Sequence, residues 1–174
     1  MIISVMDAKN LIDLADWKDE KISMKLNAIE QTIRAYTNNN FQDRGYRVQA
    51  SIVDGILKSD TPIPFSVGDT VQISQSRFNG GLYTILAMED TTFTVSEDVK
   101  DEKAVLITKV SYPADVIECC VNLLEWSKNY GGKLGIKSET LSRHSVTYED
   151  SSTLFMGFPM GILNGLKLYK KARF

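Results

Sequence analysis

A single histidine, His144, stands in the whole chain, flanked by the hydroxyls of Ser142 and Ser145. A Ser–His pair is the start of nucleophilic catalysis, because imidazole takes the hydroxyl proton once a carboxylate orients it. No Asp or Glu is placed locally to do so. His144 therefore reads as a loop or strand-edge residue, with a triad drawn from distant positions left open. One histidine also leaves no multi-histidine metal site. Cys119 and Cys120, the only cysteines, are neighbours in a helical pattern. Consecutive helical residues point about 100° apart, so a bridge between them would strain the backbone, and reduced, buried thiols fit best. Arg77-Phe78-Asn79-Gly80-Gly81 has the glycines of a phosphate cradle but lacks its lysine and hydroxyl, and reads as a hairpin turn. Glu97 to Lys103 lacks the alternating ligands of a calcium loop and reads as solvated. No catalytic, cofactor or metal residue is expected, and no cofactor.

The remaining chemistry is charge. Lys167, Lys170, Lys171 and Arg173 crowd the end of the chain, with Tyr169 and Phe174 beside them. Such a run is either a solvated helix end or a segment that docks on an acidic partner, the aromatics acting as apolar anchors.

The elements that must carry these residues follow from periodicity. Ser4-Val5-Met6-Asp7 has the form of a capping box and starts a helix running to about Leu14. A second helix starts near Asp19, where Ile22, Leu26, Ile29, Ile33 and Tyr36 form one apolar stripe, and Asn38-Asn39-Asn40 ends it. From about Arg47 to Val110 the period becomes two. Ala50 to Ile56 suggests a strand or hairpin, and Thr61-Pro62-Ile63-Pro64 interrupts it. Thr70 to Ser74, Leu82 to Leu86, Thr92 to Val95 and Ala104 to Val110 follow as strands, with Asn79-Gly80 and Glu89-Asp90 as turns. About five short strands at this spacing imply a small barrel, SH3-like or OB-like. After Tyr112-Pro113 a helix carries Ile117, Cys120, Val121, Leu124 and Lys128 on one stripe, and Gly131-Gly132 stops it. Ser145-Val146-Thr147-Tyr148 suits a strand, Glu149 to Ser152 breaks it, and Pro159 opens a last helix with Ile162, Leu163, Leu166 and Tyr169 recurring along it. The fold class is α+β: residues 47–112 form a barrel inserted into a helical domain made of 1–46 and 113–174.

At 174 residues the chain holds one domain, or one with a sizeable insertion, and 43% hydrophobic against 24% charged residues is the balance of a folded globular protein. No apolar run reaches bilayer length, and no basic region followed by an apolar one marks a signal peptide. A net charge of −2 argues against a broad basic face for nucleic acid. The charge is uneven: the middle of the chain is acidic and its end basic.

The "SVTYED" strand, the "GFP" start of the last helix and its "L-x-x-Y-K-K-A-R-F" close, together with the two helices of Ser4 to Phe41, resemble the head-to-tail connector (adaptor) proteins of long-tailed bacteriophages that infect Firmicutes. The resemblance covers roughly 1–46 and 113–174. It implies a small helical, connector-like bundle and no enzymatic activity. It also implies a ring, dodecameric in the virion, seated under the portal at the head–tail interface and made in the host cytoplasm. Portal protein, stopper or tail-completion protein and further copies of the chain would be the partners, without a membrane. DNA would pass through a neutral or acidic channel without sequence-specific binding. Connectors of this type grip the portal with their C-terminal segment, which implies Ile162, Leu163 and Leu166 as a sticky face. Lys167, Tyr169, Lys170, Lys171, Arg173 and Phe174 would be the charged and aromatic contacts. In a free chain such a segment would have little to pack on and would order on its partner. A stopper or tail-completion ring protein is the alternative reading, and an enzyme using the barrel as a substrate-binding module is the remote one.

Overall fold

The computed structural model describes residues 1–131 and 153–172, with the backbone of 138–141 and 144–147. The chain divides into two compact units, one formed by Met1–Asn39 with Tyr112–Phe174 and the other by Asn40–Ser111. Helices and strands mix as in an α+β protein, and the second unit is a closed barrel.

In the first unit α1 (Val5–Leu11) starts on the capping box read from the sequence: Ser4 Oγ accepts from the Asp7 amide at 3.0 Å, and the Asp7 carboxylate accepts from the Ser4 amide. The helix stops at Leu11, short of Leu14. In α2 (Asp19–Thr37) the expected stripe is the buried one: Ile22, Leu26, Ile29, Ile33 and Tyr36 all point inward. Helix α3 (Ala114–Tyr130) packs on α2 through Val116, Cys119, Cys120, Leu123 and Leu124. That stripe is rotated from the one expected, since Ile117 and Val121 are only half-buried. The helix is apolar over a wide arc, and spacing alone cannot choose which edge of the arc faces the core. Glu30 and Arg34 pair at 2.8 Å on α2, and the Tyr112 hydroxyl donates to the same Glu30 carboxylate at 2.7 Å, tying the start of the α3 segment to α2. Two hairpins follow, β7 (Ser138–Leu141) with β8 (His144–Thr147) and β9 (Leu154–Phe155) with β10 (Phe158–Pro159). His144 opens β8, so the strand reading at Ser145 to Thr147 has a counterpart in the backbone. Ser142, Tyr148 and the turn from Glu149 to Ser152 lie outside the described residues, as does Gly132.

The second unit contains β1 (Gln42–Val53), β2 (Ile56–Ser59), β3 (Thr70–Ser74), β4 (Gly81–Glu89), β5 (Thr92–Val95) and β6 (Glu102–Val110). They close in the order β1-β2-β5-β4-β3-β6, antiparallel throughout. Inward residues alternate with outward ones, as with Val71 and Ile73 against Gln72 and Ser74. Strand β1 begins well before Arg47. Gln42 and Asp43 pair with Val110 and Lys109, then the register breaks between Asp43 and Arg47, which hides the period-two signal at its start. The Thr61–Pro64 stretch interrupts the strands between β2 and β3, as expected, and also delivers Phe65 into the barrel core, edge-on to Phe93 at 6.2 Å. Asp54 and Gly55 (φ 52° and 76°) make the tight β1–β2 turn, where glycine's freedom at positive φ is used.

Because Gln42 and Val110 are ladder partners, the two ends of the barrel segment lie about 5 Å apart. Replacing Asn40–Ser111 by a short Gly/Ser linker should therefore leave the helical unit folded. Far-UV circular dichroism should retain the α2 and α3 signal, and loss of that signal would show that the helical unit needs the barrel.

Burial pushes the Cys119 thiol up to about 11 and the Cys120 thiol up to about 12, from 9.0. Between these values the unfolded chain has released protons that the folded chain keeps, so stability should fall as pH rises from about 9 towards 12. Urea unfolding at pH 8 and pH 10 should show a drop that is smaller in a Cys119→Ala, Cys120→Ala variant.

Candidate docking surface of the C-terminal segment

The basic cluster sits on a segment built in short steps. Met156 and Gly157 (φ 51° and 82°) turn β9 into β10, Pro159 caps α4 (Met160–Leu163), and a 3-10 helix continues through Asn164–Tyr169. The sequence reading expected one α-helix here. Gly161 and Gly165 weaken such a helix, and the three-residue steps from Leu163 to Leu166 to Tyr169 are the 3-10 repeat, in which residues three apart eclipse.

Leu163 and Leu166 are buried in the chain's own core, with Phe158 beside Trp126 on α3. The segment is thus already seated, contrary to the expectation that it would lack anything to pack on. The physical reason lies at the end of α2. The last carbonyls of a helix lack intrahelical donors, and here the Lys171 amide donates to the Thr37 carbonyl at 2.8 Å. Asn38, left-handed at φ 49°, donates through Nδ2 to the Ala172 carbonyl at 3.0 Å, and Asn39 Nδ2 donates to the Tyr169 carbonyl at 3.2 Å. Tyr36 donates to Asn164 at 3.2 Å while Lys170 Nζ lies 3.8 Å above its ring centroid. The Tyr169 hydroxyl donates to Asp115 at 2.7 Å, and that bond holds the phenol above its ordinary value. The asparagine run that stops the helix is therefore also a clamp, through Asn38 and Asn39.

Of the residues implied as portal contacts, Leu163 and Leu166 face inward, and Ile162 is half-buried with its carbonyl accepting from Cys119 Sγ at 3.8 Å. Lys167, Lys170 and Lys171 are exposed and Tyr169 is half-buried. Arg173 and Phe174 lie outside the described residues. Sequence reasoning missed Leu168, which is 90% exposed between the lysines. The surface on offer is a basic strip with one projecting leucine. Among the described residues no three His, Cys, Asp or Glu side chains gather to hold a metal ion, and no helix is long and apolar enough to cross a membrane. Compared with protein-family models the chain matches none, and no curated protein matches it.

Leu166→Ala should cost about 2–5 kcal/mol by opening a cavity under the segment, whereas Lys167→Glu, on the exposed side, should change stability by less than about 0.5 kcal/mol. Urea denaturation of the two variants checks the contrast.

Proposed function

We propose that this chain is a structural virion protein, a head-to-tail connector that joins the portal and gives the stopper and tail a platform. The observation that carries the reading is the composition of the first unit. The two stretches that resemble connectors, one at each end of the chain, come together in a single compact body, with the barrel segment lying between them in sequence. In this reading the helical unit is a connector-like bundle and the second unit an inserted barrel of the SH3-like or OB-like kind. The protein works mechanically, by many weak contacts repeated around a ring under the portal, where avidity multiplies them. A net charge of −2 supports a channel that lets DNA slide past. The length of α2 and α3, 19 and 17 residues, weighs against a stopper, in which barrel predominates.

Portal contact in this reading falls to Lys167, Leu168 and Lys171, with Leu163 and Leu166 as the internal support that aims them. Long-range attraction between a basic strip and an acidic surface raises the rate of encounter and fades with salt. Lys167→Glu with Lys171→Glu should weaken binding to purified portal and flatten its salt dependence. Leu168→Ala should weaken it equally at every salt concentration. Surface plasmon resonance across a salt series measures both, and unchanged affinity in all variants would sink the portal-docking role.

A further inference from the structure

At the barrel end opposite Gln42 and Val110, the loop between β3 and β4 is held more rigidly than a solvated turn requires. Asn79 sits in the β3–β4 turn, as its spacing implies, and beyond that it is only 3% exposed and stapled to the β5–β6 loop. Its Nδ2 donates to the Lys100 carbonyl at 2.8 Å, and its Oδ1 accepts from the Lys100 amide at 2.7 Å. The Glu102 carboxylate accepts from the Arg77 amide and from Asn79 Nδ2, both at 2.6 Å, and from the Ser76 hydroxyl. Those hydrogen bonds hold its carboxyl below the ordinary range.

What this network displays is Phe78, 56% exposed, with Arg77 at 5.2 Å and Lys100 at 5.6 Å from its ring centroid. Among the described residues neither cation is paired with a carboxylate. On the adjoining β1–β2 turn, whose Asp54 amide donates to Asp101 at 2.9 Å, Val53 and Ile56 are also exposed. An aromatic ring fixed in water between two unpaired cations is a preorganised anchor, because little conformational freedom is left to lose on docking. The anchor calls for an apolar recess edged by carboxylate. Glu97, Asp98 and Asp101 in the neighbouring loop disfavour a polyanion such as nucleic acid.

The helical unit carries such a recess. An open groove of about 770 Å³ runs along α2 beside Val5 of α1, with Val5, Met24 and Ala28 as its apolar floor and Glu20, Ser23 and Asn27 among the polar residues that edge it. Met24 is 64% exposed, and the Glu20 carboxylate has no partner among the described residues, whereas Asp19 is engaged by Lys9 at 2.5 Å. We propose that the Phe78 knob of one copy docks into the α1–α2 groove of a second copy, with Arg77 and Lys100 meeting Glu20. The two surfaces differ, so the contact is heterologous and propagates from copy to copy until it closes on itself or runs on as a filament. A knob of this size buries less than a standard interface, so a single contact is weak and gains strength only by repetition. The contact needs no portal, so it stands or falls separately from portal docking.

Sedimentation velocity of the full chain over rising concentration tests the proposal. The wild-type chain should self-associate, less so in high salt. Phe78→Ala, the Arg77→Glu, Lys100→Glu pair and Glu20→Lys should each weaken association roughly tenfold or more, with unchanged thermal unfolding showing that the variants are folded. Mixing the Glu20→Lys protein with the Arg77→Glu, Lys100→Glu protein should restore association, because each reversed knob then meets a reversed groove. A chain that is monomeric at every concentration, or whose association ignores both sets of variants, overturns the proposal. So does loss of portal binding in the knob variants of a monomeric chain, which would assign the knob to portal instead.

Discussion

The end of α2 is where the helical unit is decided. A helix must terminate with carbonyls that no residue of its own can satisfy. Here the Thr37 carbonyl accepts from the amide of Lys171, more than a hundred residues further on, and the Asn38 and Asn39 side chains hold the same segment by donating to two of its carbonyls. Once held there, the segment lays Leu163 and Leu166 into the core between α2 and α3 and leaves its lysines outside. The hydrogen bonds at the helix terminus fix the segment's register, and the burial of Leu163 and Leu166 supplies most of the energy that holds it.

This arrangement changes what kind of binding the segment can do. A tail that folds as it binds spends much of its interaction energy on ordering itself. This segment has already met that cost within the chain, and Lys167, Leu168 and Lys171 stand exposed on a backbone whose shape is already set.

How much of this could be read beforehand depended on whether a residue's role was local. The capping box at Ser4 and Asp7 and the stripe from Ile22 to Tyr36 are local patterns, and the structure has them where the spacing put them. Val71 and Ile73 likewise point inward as alternation requires. What was missed has another cause. Asn79 lies in the β3–β4 turn as its spacing implies, but its side chain is also spent on the β5–β6 loop twenty-odd positions away, which no local rule can see. The start of β1 is masked by an irregular register, and the inward edge of α3 is set by what packs on it. The 3-10 stretch was legible in its three-residue steps, but an amphipathic α-helix fits nearly the same positions. For the candidate surface, the lysines were visible from composition, while the exposure of Leu168 and the burial of Leu166 required knowing which face was clamped.

The closure of the barrel has its own consequence. Every one of its strands is flanked on both sides, β1 by β2 and β6, β3 by β4 and β6, β5 by β2 and β4. No row of unpaired backbone donors and acceptors is left to template another strand. The barrel is consequently barred from recruiting a neighbour by extending a sheet, and equally protected from the fibrous stacking that open edges invite. Crowding many copies into a small volume, a hazard for an open sheet, is for this one a tolerable condition.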